Sequence, residues 1–358
     1  MNTWLIGIIS SLKRIVGNSG VVAIRNDDLT FEGDFDPTTG ELWATSGGSN
    51  PVLGYRYNPV SMTDTGTISL SNPDTTLPTG YSIFGVPSFT FDSSRNVFWA
   101  KGASNLLLKI DAATSAILHA ISPSITGNTS TGQIVISNTN DVWLLIQDPT
   151  ANKNTYFYKI DPNTLQPTST YTLTGRQYGL AKLGFDGNIL FIAPNGNPTN
   201  PNYIKDLLKF DVTTGSTSTV FSFDPGISDF ILDTTRNTIW LKSNSGTLGY
   251  YELNPTTWTL TGQSIATTLS LVHDSIHDLF WGINYGTDSI VAYKPNGTQY
   301  GVLDSTVDPN ISNITENALW PGTGHTDAVY FMTQPYDDAT STQMYYLVKV
   351  PYTSLKLI

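Results

Sequence analysis

One pattern recurs along this 358-residue chain: an apolar strand, a tight polar turn, then a second apolar strand built around an aromatic residue. Its clearest copies are Phe35-Asp36-Pro37-Thr38-Thr39-Gly40-Glu41-Leu42-Trp43 and Phe91-Asp92-Ser93-Ser94-Arg95-Asn96-Val97-Phe98-Trp99. Further copies run from Ile136 to Trp143, Phe185 to Phe191, Leu232 to Trp240 and Val272 to Trp281, with a degenerate one from Leu319 to Tyr330. The anchors Trp43, Trp99, Trp143, Phe191, Trp240, Trp281 and Tyr330 recur at intervals of 41 to 56 residues. A single unit of this length cannot bury its apolar faces alone. A period in the forties with several short strands per unit predicts a β-propeller.

The second unit gives the plan. Phe89 to Phe91 alternates as an inner strand, and Asp92 to Asn96 turns. Val97 to Ala100 and Leu106 to Ile110 follow as strands, Asp111 to Ser115 turns again, and Ala116 to Ile121 is the outer strand. Four antiparallel strands joined by hairpins make one blade. Third strands elsewhere end at Asn58-Pro59, Asp161-Pro162, Asp211 and Asn254-Pro255, where Pro presets one turn dihedral and Asn or Asp bonds its own backbone. The expected fold is all-β, a single seven-bladed propeller of four-stranded antiparallel blades over 21–358, with blades starting near 29, 86, 131, 178, 226, 267 and 315. Val21 to Arg25 and Ser354 to Ile358 are spare strands, one or both expected to complete the last blade and hide its edge.

Composition agrees. Asp outnumbers Glu 25 to 4, which suits turns over helices. Charged residues make up 13%, and the net charge is −11 with no block of Lys and Arg. That argues against nucleic acid as a partner, because its binding needs a positive footprint. The chain has no cysteine, so disulfides and thiolate chemistry are excluded.

These units resemble the YVTN and NHL-type propellers, which read strand, Asp-rich turn, strand, then a third strand ending near Asp. The resemblance covers about residues 29–358 as a pattern. It implies a fold and no particular chemistry. Propellers of this kind usually bind at the channel mouth, on the face carrying the second-to-third-strand and blade-to-blade loops.

Residues 1–20 break the pattern and read as an apolar anchor segment followed by a hinge. Trp4, Ile8, Leu12 and Ile15 fall at helical spacing, which predicts a short amphipathic helix over 1–17 that docks on a protein partner; a helix folded back on the propeller is the alternative, and an atypical signal or membrane-surface anchor the third. The run is too short to cross a bilayer, and Lys13 and Arg14 follow it rather than precede it, unlike a secretory signal.

Candidate binding residues are Tyr81, Tyr203, Tyr285 and Tyr336 on the loop-rich face, with Tyr178 and Asp229 expected to precede inner strands and line the channel. Polar loops on a rigid scaffold suit a glycan or receptor. Catalysis finds little support. His273-Asp274 and His277-Asp278 occupy the turn slot that Asp92 and Asp233 fill elsewhere, which makes them structural. No metal-ligand spacing, phosphate loop or dinucleotide fingerprint occurs, so no cofactor is expected. The expected role is a non-enzymatic binding or structural propeller, tethered to an extracellular assembly such as a virus or phage particle, as a spike, fibre-associated or decoration protein. A secreted or cell-surface glycan- or protein-binding propeller is the alternative, and an enzyme such as a lyase, lactonase or glycosidase is the third.

Overall fold

The computed structural model describes residues 14–16, 22–25, 29–36, 38–46, 52–69, 89–102, 106–125, 132–147, 154–175, 180–192, 205–224, 226–243, 249–266, 271–284, 287, 289–306, 314–321, 328–333, 336–337, 342–343 and 346–358. Strands β1 (Arg14–Val16) and β2 (Val22–Arg25) come first. Six antiparallel sheets then follow the four-consecutive-strand plan. They are β3 to β6 (Leu29–Phe35, Leu42–Ser46, Val52–Asn58, Thr63–Ser69) and β7 to β10 (Phe89–Asp92, Val97–Lys101, Leu107–Asp111, Ile117–Ile121). Next are β11 to β14 (Gly132–Ile136, Val142–Gln147, Thr155–Ile160, Pro167–Leu173) and β15 to β18 (Leu180–Leu183, Ile189–Ile192, Asp206–Phe210, Thr217–Ser222). The last two are β19 to β22 (Ile227–Asp233, Thr238–Ser243, Gly249–Asn254, Thr259–Ala266) and β23 to β26 (Leu271–Asp274, Leu279–Asn284, Ser289–Tyr293, Gln299–Leu303).

The seventh repeat departs from that plan. Its strands β27 (Ile314–Pro321) and β28 (Ala328–Thr333) are followed by a small hairpin, β29 (Tyr336–Asp337) with β30 (Thr342–Gln343). Then β31 (Tyr346–Pro351) pairs with β28 on one side and with β2 on the other, giving the order β1-β2-β31-β28-β27. The N-terminal strand thus fills the outer position. A short 3₁₀ turn (Tyr352–Ser354) leads to β32 (Lys356–Leu357), which adds a fifth strand beside β26.

The expected N-terminal helix is corrected where the structure reaches it. Arg14, Ile15 and Val16 are a strand, paired with Ile24, Ala23 and Val22. Two β-branched residues in succession favour the extended backbone, and the partner strand begins at Val22. Residues 1–13, with Trp4, Ile8 and Leu12, lie outside the described residues.

The chain forms two compact units, 1–48 with 54–67 and 267–358, and 49–53 with 68–266. In each, the aromatic anchors of the second strands are fully buried. In the larger unit Trp143 packs on Ala181, Phe191 and Phe210 of the following sheet, its ring 5.2 Å from that of Phe210 and edge-on. In the other unit Trp281 packs against Val329, Phe331 and Val348, and Tyr330 against Phe35, Leu42 and Tyr57. A ring of this size buries about 150–250 Å². At roughly 25 cal/mol per Å² each such wedge between sheets contributes about 4–6 kcal/mol of transfer free energy.

Candidate functional site

The recurring acidic residues go into turns. After β3, β7, β19 and β23 an Asp bends the chain, and its carboxylate is consumed there; after β11 Ser137 takes that place. Asp92 Oδ1 accepts from the Ser94 hydroxyl at 2.6 Å, and Oδ2 accepts from Arg95 Nη1 at 2.6 Å and Trp99 Nε1 at 3.1 Å. Asp233 holds the Thr235 and Arg236 amides at 3.0 Å and the Arg236 guanidinium at 2.5 Å. Asp36 holds the Thr38 amide and the Thr39 hydroxyl. The fifth turn residue has positive φ, met by Gly40, Asn96, Asn237 and Asp278, types that tolerate it.

Asp274 is the most heavily committed of these. Its Oδ1 accepts from the Ile276 and His277 amides, both at 3.1 Å. Its Oδ2 accepts from His277 Nδ1 at 2.9 Å, the Tyr352 hydroxyl at 2.5 Å and Trp281 Nε1 at 3.3 Å. His273 packs on Phe280, with ring centroids 4.9 Å apart. His119, on β10, donates from Nδ1 to the Asn163 carbonyl at 3.0 Å.

Asp229 is the sequence candidate whose side chain the structure describes. It is half-buried on β19, just past a register shift between Ile227 and Asp229. Its Oδ1 accepts from the Phe230 amide at 2.7 Å, and its Oδ2 accepts from the Tyr250 hydroxyl at 2.9 Å. Lys182, on the first strand of the preceding sheet, donates from Nζ to the Phe230 carbonyl at 2.5 Å and lies 5.3 Å from that ring's centroid. Burial pushes the Lys182 ammonium below the ordinary lysine value, and the Asp229 carboxylate opposes the shift. The cluster braces two first strands and a third strand. Sequence reasoning found Asp229 and missed Lys182 and Tyr250; the signal for Lys182 is a lone charge inside the apolar run Leu180-Ala181-Lys182-Leu183.

Tyr81, Tyr178, Tyr203 and Tyr285 lie outside the described residues, as does His325. Tyr336 is in β29, its backbone opposite Gln343. Ile15 is in β1, opposite Ala23. Among the described residues no group of three or more His, Cys, Asp or Glu is placed to hold a metal, and no helix is long and apolar enough to cross a membrane.

One cavity of about 750 Å³ opens at the turn end of the β23 to β26 sheet, opposite the β24–β25 connection. Its walls include His277, Leu279, Lys294, Tyr300, Tyr352 and Leu355. The Tyr352 ring lies 4.1 Å from His277 and stacks on Trp281 at 5.3 Å.

No family model matches the chain, and no curated protein matches it. Among solved structures it is similar to the Dos1 propeller, with a TM-score of 0.58 and 11% identity, the match covering 95% of each chain. At that identity the likeness concerns the fold alone. The fold is an all-β β-propeller with four-stranded antiparallel blades.

Proposed function

We propose that the composite sheet serves as a seventh blade, and that the chain is a non-enzymatic binding or structural propeller. In this reading its N-terminal segment tethers it to a larger extracellular assembly, a virus or phage particle first among them. The observation that carries the reading is where the acidic and histidine side chains go. Asp92, Asp233 and Asp274 are committed to turns, and Asp229 to Tyr250 and the Phe230 amide. General acid–base work needs a carboxyl or imidazole facing substrate with its exchangeable site open. Here the scaffold uses these groups for its own cohesion, which suits a rigid display platform.

The test is to co-express the full chain, or the chain lacking residues 1–13, with the products of its neighbouring genes. That truncation spares β1, so it separates tethering from folding. The full chain is expected to co-sediment with large particles, and the truncated chain to sediment at its own size with an unchanged far-UV circular dichroism spectrum. Equal co-sedimentation of both, or none by the full chain, overturns the tether.

A further inference from the structure

The cavity at the turn end of the β23 to β26 sheet is independent of any tether. We infer that it is a binding pocket for a small amphipathic anion: an aromatic or medium-chain apolar body carrying one carboxylate.

Size comes first. At about 750 Å³ it falls in the range of small-molecule sites, roughly 300–1,000 Å³. Its lining is also of the right kind. Leu279, Leu355 and Leu357 supply aliphatic surface, and Tyr300 and Tyr352 supply ring surface. Leu357 lines the cavity yet is 64% exposed, so apolar area that a ligand would cover now faces water.

Charge selects the class. Lys294 lies at the wall with Nζ 5.5 Å from the Tyr300 ring centroid. Among the described residues no carboxylate stands within ion-pair distance of it. The acidic wall residue, Asp278, has Oδ1 3.9 Å from His273 Nε2. Asn296 uses its Oδ1 on the Thr298 amide and hydroxyl, at 3.0 and 2.7 Å, which turns the donor capacity of its side chain to its amide N–H groups at the rim. A cation and an amide beside an open, mainly apolar cleft recognise a carboxylate joined to an apolar body.

The walls are held in advance. The Tyr352 hydroxyl is fixed on Asp274 at 2.5 Å. The Ile358 amide donates to the Tyr300 carbonyl at 3.2 Å. Leu355 sits where a side chain at residue 301 would be: a Cβ on Gly301 would fall 2.6 Å from Leu355 Cγ. Walls pinned by three separate contacts need little reordering when a ligand enters.

Titration calorimetry of the full chain with 2-naphthoate and with its neutral carboxamide tests the inference. Naphthoate is expected to bind at one site per chain and more tightly than the amide. Lys294→Met, which keeps the aliphatic stem, should weaken naphthoate about tenfold and leave the amide unchanged. Leu357→Asp, at an exposed position, should weaken naphthoate by at least that factor. Absence of saturable binding, equal affinity for acid and amide, or naphthoate binding indifferent to Lys294→Met would each overturn it. None of these outcomes bears on co-sedimentation, so the pocket and the tether stand or fall separately.

Discussion

At the scale of single residues, the carboxylates of the first turns are bonded well beyond what a surface turn needs. Burial pushes the Asp92 carboxyl up, but the Ser94 hydroxyl, the Arg95 guanidinium and the Trp99 indole outweigh it and hold it below the usual carboxylate range. A carboxyl depressed in the fold contributes stability that is present above its unfolded value, near 3.9, and is lost as pH falls through the folded value. Asp92→Asn is therefore expected to lower unfolding free energy by about 1–3 kcal/mol at neutral pH and to flatten the acid limb in urea titrations between about pH 5 and 2. Lys101 is also lowered, but there it is the charged form that the fold penalises. Its side chain is buried at the end of β8, with Nζ 3.3 Å from the Gly102 carbonyl, and burial lowers its value to about 8. Between pH 8 and 10.5 the unfolded chain binds more protons at this site, so stability rises with pH across that window. Comparing urea midpoints of wild type and Lys101→Met at pH 7.5 and 9.5 should show wild type gaining on the variant.

At the scale of elements, the second kind of turn, between third and fourth strands, repeats its own rule. Asn58, Asp111, Asp161, Asp211 and Asn254 each accept the amides two and three residues on. The residue four on has positive φ, filled by Met62, Ser115, Leu165, Gly215 and Trp258. Only Gly215 meets this without a side chain, and there is a reason. A Cβ at that position would lie 1.9 Å from Cε1 of Tyr171, which packs from the neighbouring sheet in the same unit. Gly215→Ala should cost about 1–3 kcal/mol through overpacking and left-handed strain together, read as a fall in the thermal midpoint. Turns of both kinds were legible in the sequence, because Asp, Asn and Gly at fixed offsets carry local chemistry. The strands of the second unit were equally legible, falling within a residue of their expected places. The apolar run ending at Val16 was misread at its last three residues, since a short apolar run satisfies helix and strand alike until a pairing partner decides. The cavity was not legible at all. His277, Lys294 and Tyr352 sit in three separate turns, and only the return of the chain along β26 brings them together.

At the scale of the whole molecule, the composite sheet is what the repeat alone could not specify. Spacing located β27 and β28, but the outer strands come from the far end of the sequence, with Val22 to Arg25 opposite Lys349 to Tyr346. Removing residues 1–13 leaves those pairings in place. Removing residues 1–25 bares the edge of β31, a row of unpaired amides and carbonyls that recruits other chains. Size-exclusion chromatography should find the shorter truncation at the elution volume of the full chain and the longer one shifted to aggregates.

That same pairing has a temporal side. During synthesis β2 emerges before its partner β31, which is made only after the six intervening sheets. Every earlier sheet draws its four strands from neighbouring sequence and can assemble as it emerges; this one cannot. The composite sheet is thus a check that synthesis has passed β31: a product terminated before Tyr346 carries an orphan strand, a natural handle for chaperones and proteases.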